Sequence, residues 1–164
     1  MRVLGIDPGF GRTGYGVIDA VIGRQKALEY GCIETLPGDS MGRRLHDIFS
    51  AVNEIIEKYQ PDVMAIEQLF FNRNVTTAFK AAEARGVVVL AAEMAGIPQF
   101  SYTPIQVKQA VVGYGRAEKK QVQEMVKVLL ALTSIPKPDD AADALAIAIA
   151  HAQASVFQSR MPKE

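Results

Sequence analysis

A chain of 164 residues with a hydrophobic fraction of 49% has the size and apolar content of one compact domain, expected over residues 1–155 with a disordered tail at 156–164. A single cysteine, Cys32, excludes an internal disulfide, and two histidines, His46 and His151, are too few for a Cys/His zinc site, so any bound metal must be held by oxygen. Formal net charge is zero, which argues weakly against a nucleic-acid partner, but Lys/Arg number eight against four Asp/Glu in residues 70–130, with acid in excess on both sides. That distribution suits a phosphate-binding surface bordering an acidic site, and equally a solvated helical face. The apolar stretches 86–92 and 141–150 are too short to span a bilayer, the second also being broken by Asp143, and the N-terminus lacks a signal-peptide layout. A cytoplasmic protein with no membrane partner is expected.

Residues 3–6 form an apolar run ending in Asp7-Pro8-Gly9, a strand that stops at a turn and sends the Asp7 side chain out at its C-terminal end. Residues 15–18 and 27–33 read as two further strands, completing a meander. From 41 to 59, apolar residues fall at the three-and-four spacing of an amphipathic helix, which Pro61 ends. Residues 63–66 resume as a buried strand finishing at Glu67. After a polar loop at 71–76, a long helix is expected over 77–94, stopped by Gly96-Ile97-Pro98, and a fifth strand over 99–102. Thr103-Pro104-Ile105-Gln106 carries a capping signal for a short helix. A turn at 113–115 precedes an amphipathic helix at about 117–132, and Pro136 and Pro138 precede a last one from about 140 to 155. The layout is mixed α/β, with Asp7 and Glu67 at the C-terminal ends of two strands, where open α/β sheets tend to place their ligands.

Two carboxylates at strand ends and two more at Asp140 and Asp143, three apart on one helix, converge if that helix crosses the sheet. Four carboxylates without His or Cys favour a hard cation, Mg²⁺ or Mn²⁺. Each acid also has a structural reading: Asp140 and Asp143 suit the start of a helix, and Asp7 suits a turn. Glu67 ends an almost continuous apolar strand, where an unpaired charge is costly, so it points more strongly to function.

The residues Leu4-Gly5-Ile6-Asp7-Pro8-Gly9, Thr13-Gly14-Tyr15-Gly16, Ala65-Ile66-Glu67-Gln68, Ala84-Arg85-Gly86, Gln106-Val107-Lys108-Gln109 and Asp140-Ala141-Ala142-Asp143-Ala144-Leu145-Ala146 together resemble the RuvC-like Holliday-junction resolvases. The resemblance runs in order from the first residues to about His151. It implies a ribonuclease-H-like fold of the retroviral-integrase superfamily, with a five-stranded mixed sheet flanked by helices. It implies an endonuclease that resolves four-way DNA junctions by paired symmetric nicks in recombination and repair, acting as a homodimer beside a branch-migration motor of the RuvA and RuvB type. Asp7, Glu67, Asp140 and Asp143 become the catalytic, metal-binding acids, for two Mg²⁺ ions per site with Mn²⁺ as a substitute. Some members carry His where this chain has Asp140, which makes that ligand the most replaceable.

The same resemblance places Lys108 and Lys119 near the scissile phosphate, while Lys120 and Lys127 read as solvated. Phe70-Phe71-Asn72-Arg73-Asn74 follows the Glu67 strand. Phe70 is expected to stack on DNA bases near the crossover, and Arg12, Arg73 and Asn74 to contact DNA. The helix at 77–94 is apolar on more faces than one sheet contact needs, which suggests a dimer interface. His151 is expected at the surface near a helix end and Cys32 in the core. One rival is an ATP-binding domain of the actin, Hsp70 and sugar-kinase type, since Gly5-Ile6-Asp7 with Gly9 resembles its phosphate loop; such proteins need a second related domain. A junction-binding module without catalysis and a nuclease acting on structured RNA are the others.

Overall fold

The computed structural model describes residues 1–69 and 74–160. Five strands form one mixed sheet: β1 (Arg2–Asp7), β2 (Arg12–Val21), β3 (Arg24–Glu34), β4 (Val63–Glu67) and β5 (Gln99–Tyr102), in the order β3-β2-β1-β4-β5. The first three strands are antiparallel, whereas β4 runs parallel to both β1 and β5. Helices α1 (Met41–Tyr59) and α2 (Val75–Met94) cover one face, and α3 (Pro104–Val112), α4 (Lys119–Leu129) and α5 (Asp139–Arg160) the other. β2 and β3 are longer than the apolar patterns suggest, because their pairing continues through residues 12–14 with 32–34 and 19–21 with 24–26.

The period of two in β1 decides where chemistry can sit. Leu4 and Ile6 pack toward α1 and α2, while Val3 packs toward α5, so Gly5 and Asp7 share the α5 face. β4 repeats the pattern: Met64 and Ile66 on one side, Val63 and Ala65 on the other, and Glu67 therefore beside Asp7. Both faces are buried, which explains near-continuous apolar runs in place of clean alternation.

A bed of glycine lets α5 lie against this face. Gly5 pairs with Gly16, and Gly14 with Asp7, across β1 and β2. A Cβ at Gly5 would collide with the Ala144 carbonyl, one at Gly14 with the Asp140 carbonyl, and one at Gly16 would lie 2.7 Å from Leu145 Cδ2. The helix answers with Ala141, Ala142, Ala144, Ala146, Ala148, Ala150 and Ala152, all buried. Small residues on both partners bring the backbones close and draw the first turns of α5 toward the strand ends.

Local signals end the other elements as the sequence suggests. Thr103 and Gln106 form a reciprocal capping box at α3, with bonds of 3.1 Å and 2.9 Å. α1 closes at Gln60, in left-handed conformation, just before Pro61. Three expectations need correction. α5 extends to Arg160, five residues past its expected end. His151 is buried, with its Nδ1 2.7 Å from the Tyr102 hydroxyl and its ring 4.7 Å from that of Phe100. α5 crosses under the sheet as far as β5, so even its later turns are covered. Cys32 is half-buried on the edge strand β3, outside the core.

Candidate active site

Asp7 ends β1, Glu67 ends the neighbouring parallel strand β4, and Asp140 and Asp143 lie in the opening turns of α5 above them. The carboxyl groups of Asp7 and Glu67 are placed to share a proton. Burial, then the charges of Glu67 and Asp143, push the Asp7 carboxyl up to about 8. Burial also raises Glu67 and Asp143, partly offset at Glu67 by the bond from Asp7 and at Asp143 by Lys119. The two strand-end acids titrate as one unit that keeps a proton near neutral pH.

Cations hold the helix-borne acids. Lys119 Nζ lies 3.4 Å from Asp143 and 3.3 Å from Asp139, and Arg12 reaches Asp140 at 3.9 Å while pairing with Glu34 at 2.8 Å. As placed, no three His, Cys, Asp or Glu side chains among the described residues enclose a possible ion position. The four acids are a cluster by charge: Asp7 feels the negative charge of Glu67, Asp143 and Asp140.

Lys108, Lys119, Glu67 and Asp143 line one cleft of about 210 Å³ between α3, α4 and α5. The α3 capping box and the start of α4 aim both lysines into it. Lys108 and Lys119, which the resemblance assigns to the scissile phosphate, thus share a cleft with two of the acids. Asn74 has a structural task the sequence reading missed: its side-chain oxygen caps α2 by accepting from Thr77 N at 3.2 Å. α2 accordingly starts at Val75, two residues before its expected start. Phe70 and Arg73 lie outside the described residues.

Two further residues escaped the sequence reading. Arg85 donates from Nε to the Glu67 carbonyl at 3.3 Å and from Nη2 to Ser101 Oγ at 2.8 Å, tying α2 to the ends of β4 and β5. Its place in the Ala84-Arg85-Gly86 motif was the available signal. Asp139 takes Lys119, Lys137 and the buried Gln123 amide, so it, and not Asp140, holds the start of α5 in place. Consecutive aspartates carried no signal to tell them apart.

The described α2 also exposes Phe79 (59%), Leu90 (50%) and Met94 (71%), while Ala84, Val88, Ala91 and Ala92 face the core. No helix is long and apolar enough to cross a membrane among the described residues.

The sequence pattern of the family described as crossover junction endodeoxyribonuclease RuvC matches residues 3–151. A protein of that name from Brevibacillus brevis is 57% identical over 97% of this chain and 96% of its own. The chain is also similar to a solved structure of Thermus thermophilus RuvC, with a TM-score of 0.90 and 38% identity over 96% of this chain and 97% of that one. A structure of T. thermophilus RuvC in complex with a Holliday junction substrate gives a TM-score of 0.89 and 35% identity, with 96% of each chain covered.

Proposed function

This chain belongs to the crossover junction endodeoxyribonuclease RuvC family and has its ribonuclease-H-like fold, and from that premise we propose that it resolves four-way DNA junctions by paired symmetric nicks in recombination and repair. The observation that carries this reading is the convergence of Asp7, Glu67, Asp140 and Asp143 at one end of the sheet, beside Lys108 and Lys119.

The site suits Mg²⁺, with Mn²⁺ as a substitute. Its donors are all carboxylate oxygens, and the raised Asp7 carboxyl marks negative charge dense enough to retain a proton that a divalent cation would displace. Asp7, Glu67, Asp140 and Asp143 would hold two ions, which when bound activate the attacking water and stabilise the leaving oxygen. The chain supplies the remaining work. Asp7 and Glu67 are fixed by strand pairing, and Arg85 braces Glu67 through its carbonyl. Lys119, paired with Asp143, would give that carboxylate up to a bound cation and turn its own charge to the phosphate. Lys108 has no carboxylate within ion-pair distance among the described residues, so its charge is available to the scissile phosphate as negative charge builds there. Lys108→Ala is expected to lower the saturated cleavage rate about a hundredfold with little change in junction affinity, read by single-turnover kinetics beside a binding titration. Equal losses of rate and affinity would make Lys108 an ordinary backbone contact.

Paired nicks require two sites, and the exposed apolar side of α2 is the surface proposed to join two protomers. Leu90→Glu is expected to convert a dimer into monomers by sedimentation, and a protein already monomeric before substitution refutes this. We assign DNA contacts to Phe70, Arg73, Arg12 and the amide nitrogen of Asn74, and a cytoplasmic location beside a branch-migration motor of the RuvA and RuvB type.

The deciding assay presents a synthetic four-way junction with millimolar Mg²⁺. Nicks on two opposed strands leaving 5′-phosphate ends are expected. Binding without cleavage, under conditions where the metal is present, would favour a junction-binding module.

A further inference from the structure

Arg44 on α1 and Lys80 on α2 each approach the same ring. The Arg44 guanidinium carbon lies 4.9 Å, and Lys80 Nζ 5.2 Å, from the centroid of Phe10, which stands three residues after Asp7 in the turn between β1 and β2. That turn is tightly held. Thr13 Oγ1 donates to the Gly9 carbonyl at 2.6 Å, and Thr35 Oγ1 donates to the Phe10 carbonyl at 2.5 Å. Thr35 Oγ1 in turn accepts from Arg44 Nε at 2.8 Å.

Arg44 is thus oriented through Nε, leaving its two terminal nitrogens without a hydrogen bond among the described residues. Lys80 is exposed, and neither cation lies within ion-pair distance of a carboxylate among the described residues. By contrast, Arg12 and Lys119 beside the acid cluster are both ion-paired. Each cation is attracted to the ring, yet two positive charges beside one ring repel each other, and an anion bound by both would relieve that repulsion. An oriented guanidinium fork beside a mobile ammonium matches a phosphate.

We infer that Arg44 and Lys80, set on the Phe10 turn, bind one backbone phosphate of the nucleic-acid strand, separate from the phosphate held at Lys108 and Lys119. Phe10 packs with the α1 and α2 side of the core, whereas the Lys108 cleft lies among α3, α4 and α5. A strand crossing the sheet end therefore meets cations on both sides of the carboxylates and is drawn taut across them. The inference rests on the proposed nuclease reading for its polyanion.

Arg44→Gln and Lys80→Ala, each in an Asp7→Asn parent that binds but does not cut, are titrated with a synthetic four-way junction over a range of salt. Each substitution is expected to raise Kd about three- to tenfold and to reduce the slope of log K against log salt by about 0.9. Lys80→Arg should keep the parent's slope. Unchanged slopes in both variants overturn the site, and so does weaker binding at unchanged slope, which marks a displaced turn and not a lost phosphate. A parent that fails to bind junctions overturns the proposed function together with this site, whereas a binding parent with unaltered variants overturns the site alone.

Discussion

Asp7→Asn is expected to abolish cleavage, by about a thousandfold or more, and at the same time to make the metal-free protein more stable. The two effects have one cause. Asp7 is crowded by Glu67, Asp143 and burial, so its ionised form is held in the fold only against repulsion. Its folded value of about 8 stands above the unfolded value, so the folded chain keeps a proton that the unfolded chain has released. The stability contributed by that proton is complete below the ordinary aspartate range and is lost as pH rises through about 8. Asn carries no charge, and its amide can donate to Glu67 in place of the shared proton. At pH 8 without metal the variant should therefore melt higher by about 5–10 °C, on the order of 2–3 kcal/mol, and the gap should close toward pH 4. Adding Mg²⁺ should raise the melting temperature of the parent protein and not of the variant. Thermal melts of both proteins at several pH values, with and without Mg²⁺, check this; a variant less stable at pH 8 would mean that Asp7 is held by favourable contacts.

The parts of this site that could be read in the sequence are those set by local pattern. Val3 to Ile6 and Val63 to Ile66 are buried on both faces, so the acids that end them had to sit at strand ends. The capping residues Thr103 and Gln106 announced the helix that carries Lys108. The parts that could not be read depend on register and on distant partners. Nothing local says that Gly5, Gly14 and Gly16 share one face and lie beneath α5, since that follows from the pairing of β1 with β2. The burial of His151 likewise depends on how far α5 runs beneath β5, a tertiary fact. Asp139 and Asp140 differ only in helical phase, and Lys119 distinguishes them in space. The zero net charge was the least informative quantity, because it says nothing of where charges sit: Lys108 lines a cleft with Glu67 and Asp143, and Arg44 and Lys80 lie beside Phe10.

Gly5→Ala, a single added methyl group, is expected to damage both fold and chemistry. Gly5 has no left-handed backbone, the glycines in that conformation being Gly23, Gly96 and Gly113, so alanine suits its dihedral angles. The obstacle is α5: the new Cβ would meet the Ala144 carbonyl and lie 2.9 Å from both the amide nitrogen and the Cβ of Ala148. Backbone atoms cannot swing aside as a flexible side chain can, so the helix must lift from β1. A loss of about 2–4 kcal/mol is expected, with a melting temperature lower by about 5–12 °C. Because the same contact sets how closely Asp140 and Asp143 approach Asp7 and Glu67, cleavage should fall about a hundredfold even well below the new melting temperature. Gly42→Ala on α1 serves as the control, since a Cβ there meets nothing within 4 Å and alanine suits a helix better than glycine. Should Gly5→Ala melt and cleave like the unsubstituted chain, the close approach of α5 to β1 would not be what brings the four carboxylates together.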